Sequence, residues 1–166
     1  MKHLPNWLSG ARLALAPYVC YLLYTREYGS ALWWFGAAAV SDGLDGWLAR
    51  RWHAESRLGA MLDPLADKVL LSGAFAALAL AGAIPWWLAA VVLGRDALIL
   101  LAAAALLAWG AKQRAFPPTI WGKLSTAAQI ACILAVVITG GPVTALTYVV
   151  AILALLSGLG YARRAF

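Results

Sequence analysis

Residues 40–69 read VSDGLDGWLARRWHAESRLGAMLDPLADKV, and they hold Asp42, Asp45, Asp63 and Asp67, four of only seven acidic residues in the chain. On a helix, Asp42, Asp45, Gly46 and Ala49 fall at i, i+3, i+4 and i+7, so two carboxylates share one stripe with two residues of minimal bulk. Gly59, Asp63 and Asp67 repeat the pattern at i, i+4 and i+8. The basic connection between the two stretches, from Arg51 to Arg57, is short. The pattern therefore predicts two antiparallel neighbouring helices whose acidic stripes face each other near one end.

Composition decides the medium those helices occupy. Of the 166 residues 64% are apolar and 12% charged, far outside the usual mix for a soluble domain. The apolar runs are continuous, which disfavours the alternating pattern of a β-barrel. Glycine and proline divide the chain into apolar segments at roughly 7–25, 29–52, 58–82, 85–110, 117–139 and 142–163. Each is close to the roughly 20 residues a helix needs to cross the hydrocarbon core. The expected architecture is an all-α membrane protein, a bundle of six transmembrane helices forming a single domain over residues 1–166.

Charge predicts the orientation. Lys2 with Arg12, Arg50 with Arg51 and Arg57, Lys112 with Arg114, and Arg163 with Arg164 mark one side, whereas the alternate loops offer only Arg26. Both termini are expected on the cytoplasmic side, with the first apolar run read as an uncleaved helix. Trp33, Trp34, Trp86 and Trp87 are expected in the headgroup layer of the opposite face. A net charge of +6 in this setting points to anionic lipid or phosphate. No basic, aromatic-interleaved surface suggests nucleic acid. Cys20 and Cys132 lack the spacing of a zinc site and are read as packing residues.

Insertion scales put a charged residue at bilayer depth at about 2.5 to 3.5 kcal/mol, so four unpaired acids need a compensating partner. Divalent cations relieve both desolvation and mutual repulsion. Carboxylates without His or Cys select Mg²⁺, Mn²⁺ or Ca²⁺ over zinc, and four can hold two ions in the arrangement that suits displacement at phosphorus. Simple pairing of the aspartates with Arg50, Lys68 or loop arginines is the plainer alternative. A divalent-metal transporter and a non-catalytic lipid-binding scaffold are further ones. Transporters commonly hold ions near the midplane between repeated halves, and this chain has no counterpart of the motif after residue 96.

The spacing DxxDGxxAR, eight residues, then GxxxDxxxD, is met by Asp42, Asp45, Gly46, Ala49, Arg50, Gly59, Asp63 and Asp67. In this the chain resembles the CDP-alcohol phosphatidyltransferases. The resemblance implies six membrane helices, a homodimer, two divalent cations (Mg²⁺ or Mn²⁺), and transfer of a phosphatidyl group from CDP-diacylglycerol to an alcohol with release of CMP. It assigns metal binding to Asp42, Asp45, Asp63 and Asp67, with Asp67 also the general base, and contacts to the CDP donor to Gly46, Ala49, Arg50 and Gly59.

Two further charges are expected in the acceptor pocket, Arg95 in LGRDALIL and Lys123 in IWGKLSTAAQ. An arginine deep in a span is a functional candidate. Direct pairing of Arg95 with Asp96 is disfavoured by the divergence of adjacent side chains on a helix. For Lys123, snorkelling to the interface is the competing reading. The stretches LPNWLSGARLALAP, LDPLADKVLLS, GRDALIL, GKLSTAAQ and SGLGYARR resemble the cardiolipin-synthase branch of the family, whose acceptor is phosphatidylglycerol. The alternative is the phosphatidylglycerophosphate-synthase branch, which uses glycerol 3-phosphate. That branch has a second arginine beyond the one in the fourth helix, whereas positions 97–109 here are uncharged. Together these features predict a multi-pass protein of a bacterial inner membrane, with its active site facing the cytoplasm and both substrates lipids.

Overall fold

Glycine and proline stand where the helices stop. The computed structural model describes residues 4–37, 40, 57–108 and 120–165, with side chains at 14–37, 40, 68–101 and 120–160. All regular structure among these residues is helical: α1 (Leu4–Tyr24), α2 (28–37), α3 (Arg57–Leu80), α4 (Trp86–Ala108), α5 (Ile120–Thr139) and α6 (Thr144–Ala165). The bounds of α1 and α3 to α6 fall within about three residues of those read from the sequence. Gly140, at φ 75°, ends α5 by donating its N–H to the Val136 carbonyl at 2.8 Å, a left-handed cap that suits a residue without Cβ. The Thr139 hydroxyl donates to the Ala135 carbonyl at 2.8 Å, so the last turn of α5 does not leave its acceptors bare.

The chain forms two compact units, Met1–Ala81 and Gly82–Phe166. In the first, α1 packs against α3. Val19, Leu22 and Leu23 from α1 are buried, as are Leu71, Ala74, Phe75 and Leu78 from α3. The end of α1 is closed by paired bonds, Glu27 N–H to Leu22 O at 2.9 Å and Arg26 N–H to Leu23 O at 3.3 Å. This is the Schellman arrangement, with Arg26 in the left-handed position at φ 60°. The Arg26 side chain then donates to the carbonyl of Ala81, just beyond α3, from Nε at 3.2 Å and from Nη2. The C-terminal ends of α1 and α3 are thus tied together, and the two packed helices run parallel. Tyr18 of α1 meets Trp34 of α2 edge to face, with ring centroids 5.8 Å apart.

In the second unit α6 packs against both α4 and α5. Its inner stripe is Thr147, Val150, Ala151, Ala154 and Ser157, mostly small residues that let neighbouring backbones approach. Its outer stripe, Ile152, Leu155, Leu156 and Leu159, is exposed. Trp87 and Tyr148, near the starts of α4 and α6, have ring centroids 5.8 Å apart. Arg95 and Ser157, eight and nine residues further along, also touch, so these two helices are parallel as well.

Among the described residues α5 is the one helix long and apolar enough to cross a membrane. In α1, α3 and α6 the apolar stretches with described side chains are Ala14–Tyr24, Lys68–Leu80 and Thr144–Gly160. Trp33, Trp34, Trp86 and Trp87 are all exposed, the state an interfacial role requires.

Candidate active site

The second half of the acidic motif lies on α3, which carries Gly59, Asp63 and Asp67 in its first twelve residues. Asp63 and Asp67 occupy successive turns of one face, about 6 Å apart along the axis. Asp42, Asp45, Gly46, Ala49 and Arg50 lie outside the described residues. The α3 pair supplies only oxygen donors, the chemistry that hard divalent cations take, so the residue types fit Mg²⁺ or Mn²⁺. Because α1 and α3 are parallel, the acid-bearing half of α3 lies beside the first half of α1, away from the Arg26–Ala81 closure.

The second group of charges is in α4. Arg95 and Asp96 are buried, 8% and 5% exposed, although both lie in an apolar helix. Arg95 Nη1 donates to Asp96 Oδ1 at 2.6 Å, and Nη2 donates to Ser157 Oγ of α6 at 2.7 Å. The adjacent-residue pair that helix geometry disfavours is therefore formed. The arginine stem, with its several torsions, is long enough to fold back over the short Asp96 side chain. Such a pair offsets the desolvation of two buried charges, since either one alone would be left strongly uncompensated. Arg95 Nε is buried and has no hydrogen-bond partner among the described residues. Lys123, in the first turn of α5, is exposed, as the snorkelling alternative requires.

Ser157 was not singled out by the sequence. Its signals are its place at the head of SGLGYARR and a small hydroxyl in an apolar helix. Ser125 and Gln129, both within GKLSTAAQ, are buried one turn apart on α5, and Gln129 Nε2 donates to Ser125 Oγ at 3.4 Å.

The helical architecture and the i, i+4 acids of α3 agree in residue type and spacing with the second half of the eight-position motif. The CDP-alcohol phosphatidyltransferase family model matches residues 2–159, and the chain belongs to that family. Its members are membrane-bound and generally depend on divalent metal. The chain is similar to a human cardiolipin synthase (CMP-forming), 41% identical over 100 residues, covering 60% of this chain and 33% of the human one. It is similar also to a cardiolipin synthase (CMP-forming) of Streptomyces coelicolor, 37% identical over 132 residues, 74% of this chain and 59% of that one. A protein of Mycobacterium tuberculosis named "probable phosphatidylglycerophosphate synthase" is 32% identical over 177 aligned positions, 99% of this chain and 82% of that one. The chain spans about a third of the human relative's length and about three fifths of the Streptomyces one.

Proposed function

We propose that the protein transfers a phosphatidyl group from CDP-diacylglycerol to an alcohol with release of CMP, and that the alcohol is phosphatidylglycerol, so that the product is cardiolipin. The observation that carries this reading is the placement of Asp63 and Asp67 on one face of α3, completing the spacing begun by Asp42 and Asp45. Membership of the family and similarity to CMP-forming cardiolipin synthases support it.

In this mechanism Asp42, Asp45, Asp63 and Asp67 hold two divalent cations. When bound, those ions neutralise the donor diphosphate and the charge that grows on the leaving CMP. Gly46, Ala49 and Gly59 leave room for the CDP group, and Arg50 contacts it. Asp67 accepts the proton of the acceptor hydroxyl. The freed oxygen bonds to the phosphatidyl phosphorus as the diphosphate P–O bond breaks, and CMP departs with the bridging oxygen. Arg95 and Lys123 bind the acceptor phosphate.

The surrounding architecture is a single domain of six membrane spans, both termini cytoplasmic, working as a homodimer in a bacterial inner membrane. Exposed leucines and isoleucine on the outer face of α6 and exposed tryptophans near helix ends support membrane burial. The parallel course of α1 with α3, and of α4 with α6, supports the alternation of sides that the basic residues predict.

A second acceptor has its own support: the relative that aligns over nearly the whole chain is named for phosphatidylglycerophosphate synthesis, which takes glycerol 3-phosphate. The test supplies purified protein and CDP-diacylglycerol with Mg²⁺ or Mn²⁺, and compares CMP release with phosphatidylglycerol, glycerol 3-phosphate, inositol phosphate and serine. Release with phosphatidylglycerol well above the others is expected. Equal or faster release with glycerol 3-phosphate overturns the cardiolipin assignment, and no acceptor-dependent CMP release overturns the transferase reading.

A further inference from the structure

We propose that Ser157 is a positioning residue for acceptor recognition, fixing the Arg95 guanidinium so that its Nε edge is the donor offered to the acceptor's phosphate. The proposal rests on the reading of Arg95 as acceptor-binding and adds to it the group that orients the arginine.

A guanidinium is planar and carries five N–H donors in a fixed fork. Two anchors on its terminal nitrogens therefore fix the plane and the direction of the Nε–H. Both anchors are present: Asp96 Oδ1 accepts from Nη1 at 2.6 Å and Ser157 Oγ accepts from Nη2 at 2.7 Å. Asp96 rides on the same helix as the arginine, so by itself it leaves the head free to swing with the stem. Ser157 stands on α6, 62 positions away in the chain, and is the anchor that references the head to a second helix. The stem passes beside α6 there too: a Cβ added at Gly158 would stand 3.8 Å from Arg95 Cγ, ordinary contact distance. α6 thus meets the arginine with two consecutive small residues, one bonding its head and one passing its stem.

A tether between α4 and α6 needs no more than these two bonds. What it leaves over, besides the second N–H of each terminal nitrogen, is Nε, the one nitrogen of the head buried without any partner among the described residues, on a side chain that is 7% exposed. Buried donors are nearly always satisfied, so an orphan on an otherwise well-held arginine marks a place where a ligand acceptor atom completes the set. The charge state is consistent with such a ligand. Asp96 partly compensates the arginine, and the serine adds a hydrogen bond without adding charge. A phosphate oxygen, from a lipid diester or from a soluble monoester, is the acceptor chemistry that suits a cationic N–H.

The test measures CMP release in mixed micelles, with whichever of phosphatidylglycerol and glycerol 3-phosphate the parent enzyme turns over faster, varying acceptor and CDP-diacylglycerol separately. Ser157→Ala is expected to raise the acceptor KM about tenfold, the usual scale for losing a hydrogen bond to a charged group, with kcat and donor KM within about twofold of the parent. Ser157→Thr, which keeps the hydroxyl, is expected to recover most of that rise. Arg95→Lys run in parallel separates the two readings. If Arg95→Lys raises acceptor KM while Ser157→Ala leaves it unchanged, the positioning role is overturned and the arginine's role stands. If neither variant changes acceptor KM, the acceptor reading of Arg95 is overturned. In the Arg95→Lys background Ser157→Ala is expected to add little; a full additional rise there would show that Ser157 acts without the arginine, and would overturn the proposal.

Discussion

Gly73 of α3 lies so close to Cys20 of α1 that a Cβ built on it would stand 2.8 Å from the cysteine sulfur, inside van der Waals contact. The close approach of these parallel helices is therefore set by one missing side chain on α3 and one short side chain on α1. Gly73→Ala is expected to destabilise the folded protein by about 1 to 3 kcal/mol, the usual penalty for overpacking. Pairing it with Cys20→Ala removes the obstructing sulfur and is expected to return most of that loss. Thermal unfolding in detergent, run as a double-mutant cycle, measures the coupling; equal losses in both backgrounds would place the clash elsewhere.

Arg26 holds two roles that substitution can separate. It sits at φ 60°, where a side chain is strained, and its guanidinium closes the end of α3 through Ala81. Arg26→Ala keeps the strain and loses the bonds, whereas Arg26→Gly loses the bonds but relieves the backbone. The glycine variant is therefore expected to be the more stable of the two by about 1 kcal/mol. Unfolding midpoints of the two variants side by side decide it, and a glycine variant no more stable than alanine would contradict the left-handed assignment.

Much of this was legible in the sequence, and the division is physical. The end of α5 at Thr139 and the start of α4 at Trp86 follow from Gly140 and Pro85, whose backbone restrictions act locally. The α3 acids could be placed on one face because helical period is a property of the backbone. What the sequence hid depends on rotamers and on contacts distant along the chain. Arg26 read as an isolated charge on the less basic side, yet it caps two helix ends. Arg95 and Asp96 were expected to diverge, because their Cα–Cβ directions do, but the long arginine stem overcomes that divergence. Nothing in LLSGLG distinguishes Ser157 from any hydroxyl tolerated in an apolar helix until α4 is set against it.

Chelation is expected to abolish CMP release, and Mg²⁺ or Mn²⁺ to restore it, because the motif offers carboxylate oxygens alone. Asp63→Asn is expected to raise the half-saturating Mg²⁺ concentration by about tenfold or more, since an amide oxygen keeps the shape of the ligand but loses its charge. Titrating activity with Mg²⁺ for parent and variant reads this directly. Full activity after exhaustive chelation would remove metal from the mechanism.

Asp67 is the residue asked to do two things, bind metal and take the acceptor's proton, and the asparagine variant separates them from donor recognition. Asp67→Asn preserves size and can still accept a hydrogen bond, but its amide cannot accept a proton at neutral pH. Loss of a general base is expected to lower kcat by about 100-fold or more. Donor binding should survive better, because Asp42, Asp45 and Asp63 remain to hold cations and Gly46, Ala49, Gly59 and Arg50 are untouched. The measurement is CDP-diacylglycerol binding to the purified variant in Mg²⁺, beside its rate of CMP release. Retained binding with collapsed turnover fits the base; collapse of both would assign Asp67 to metal and donor binding alone, and near-parental turnover would move the base to another group.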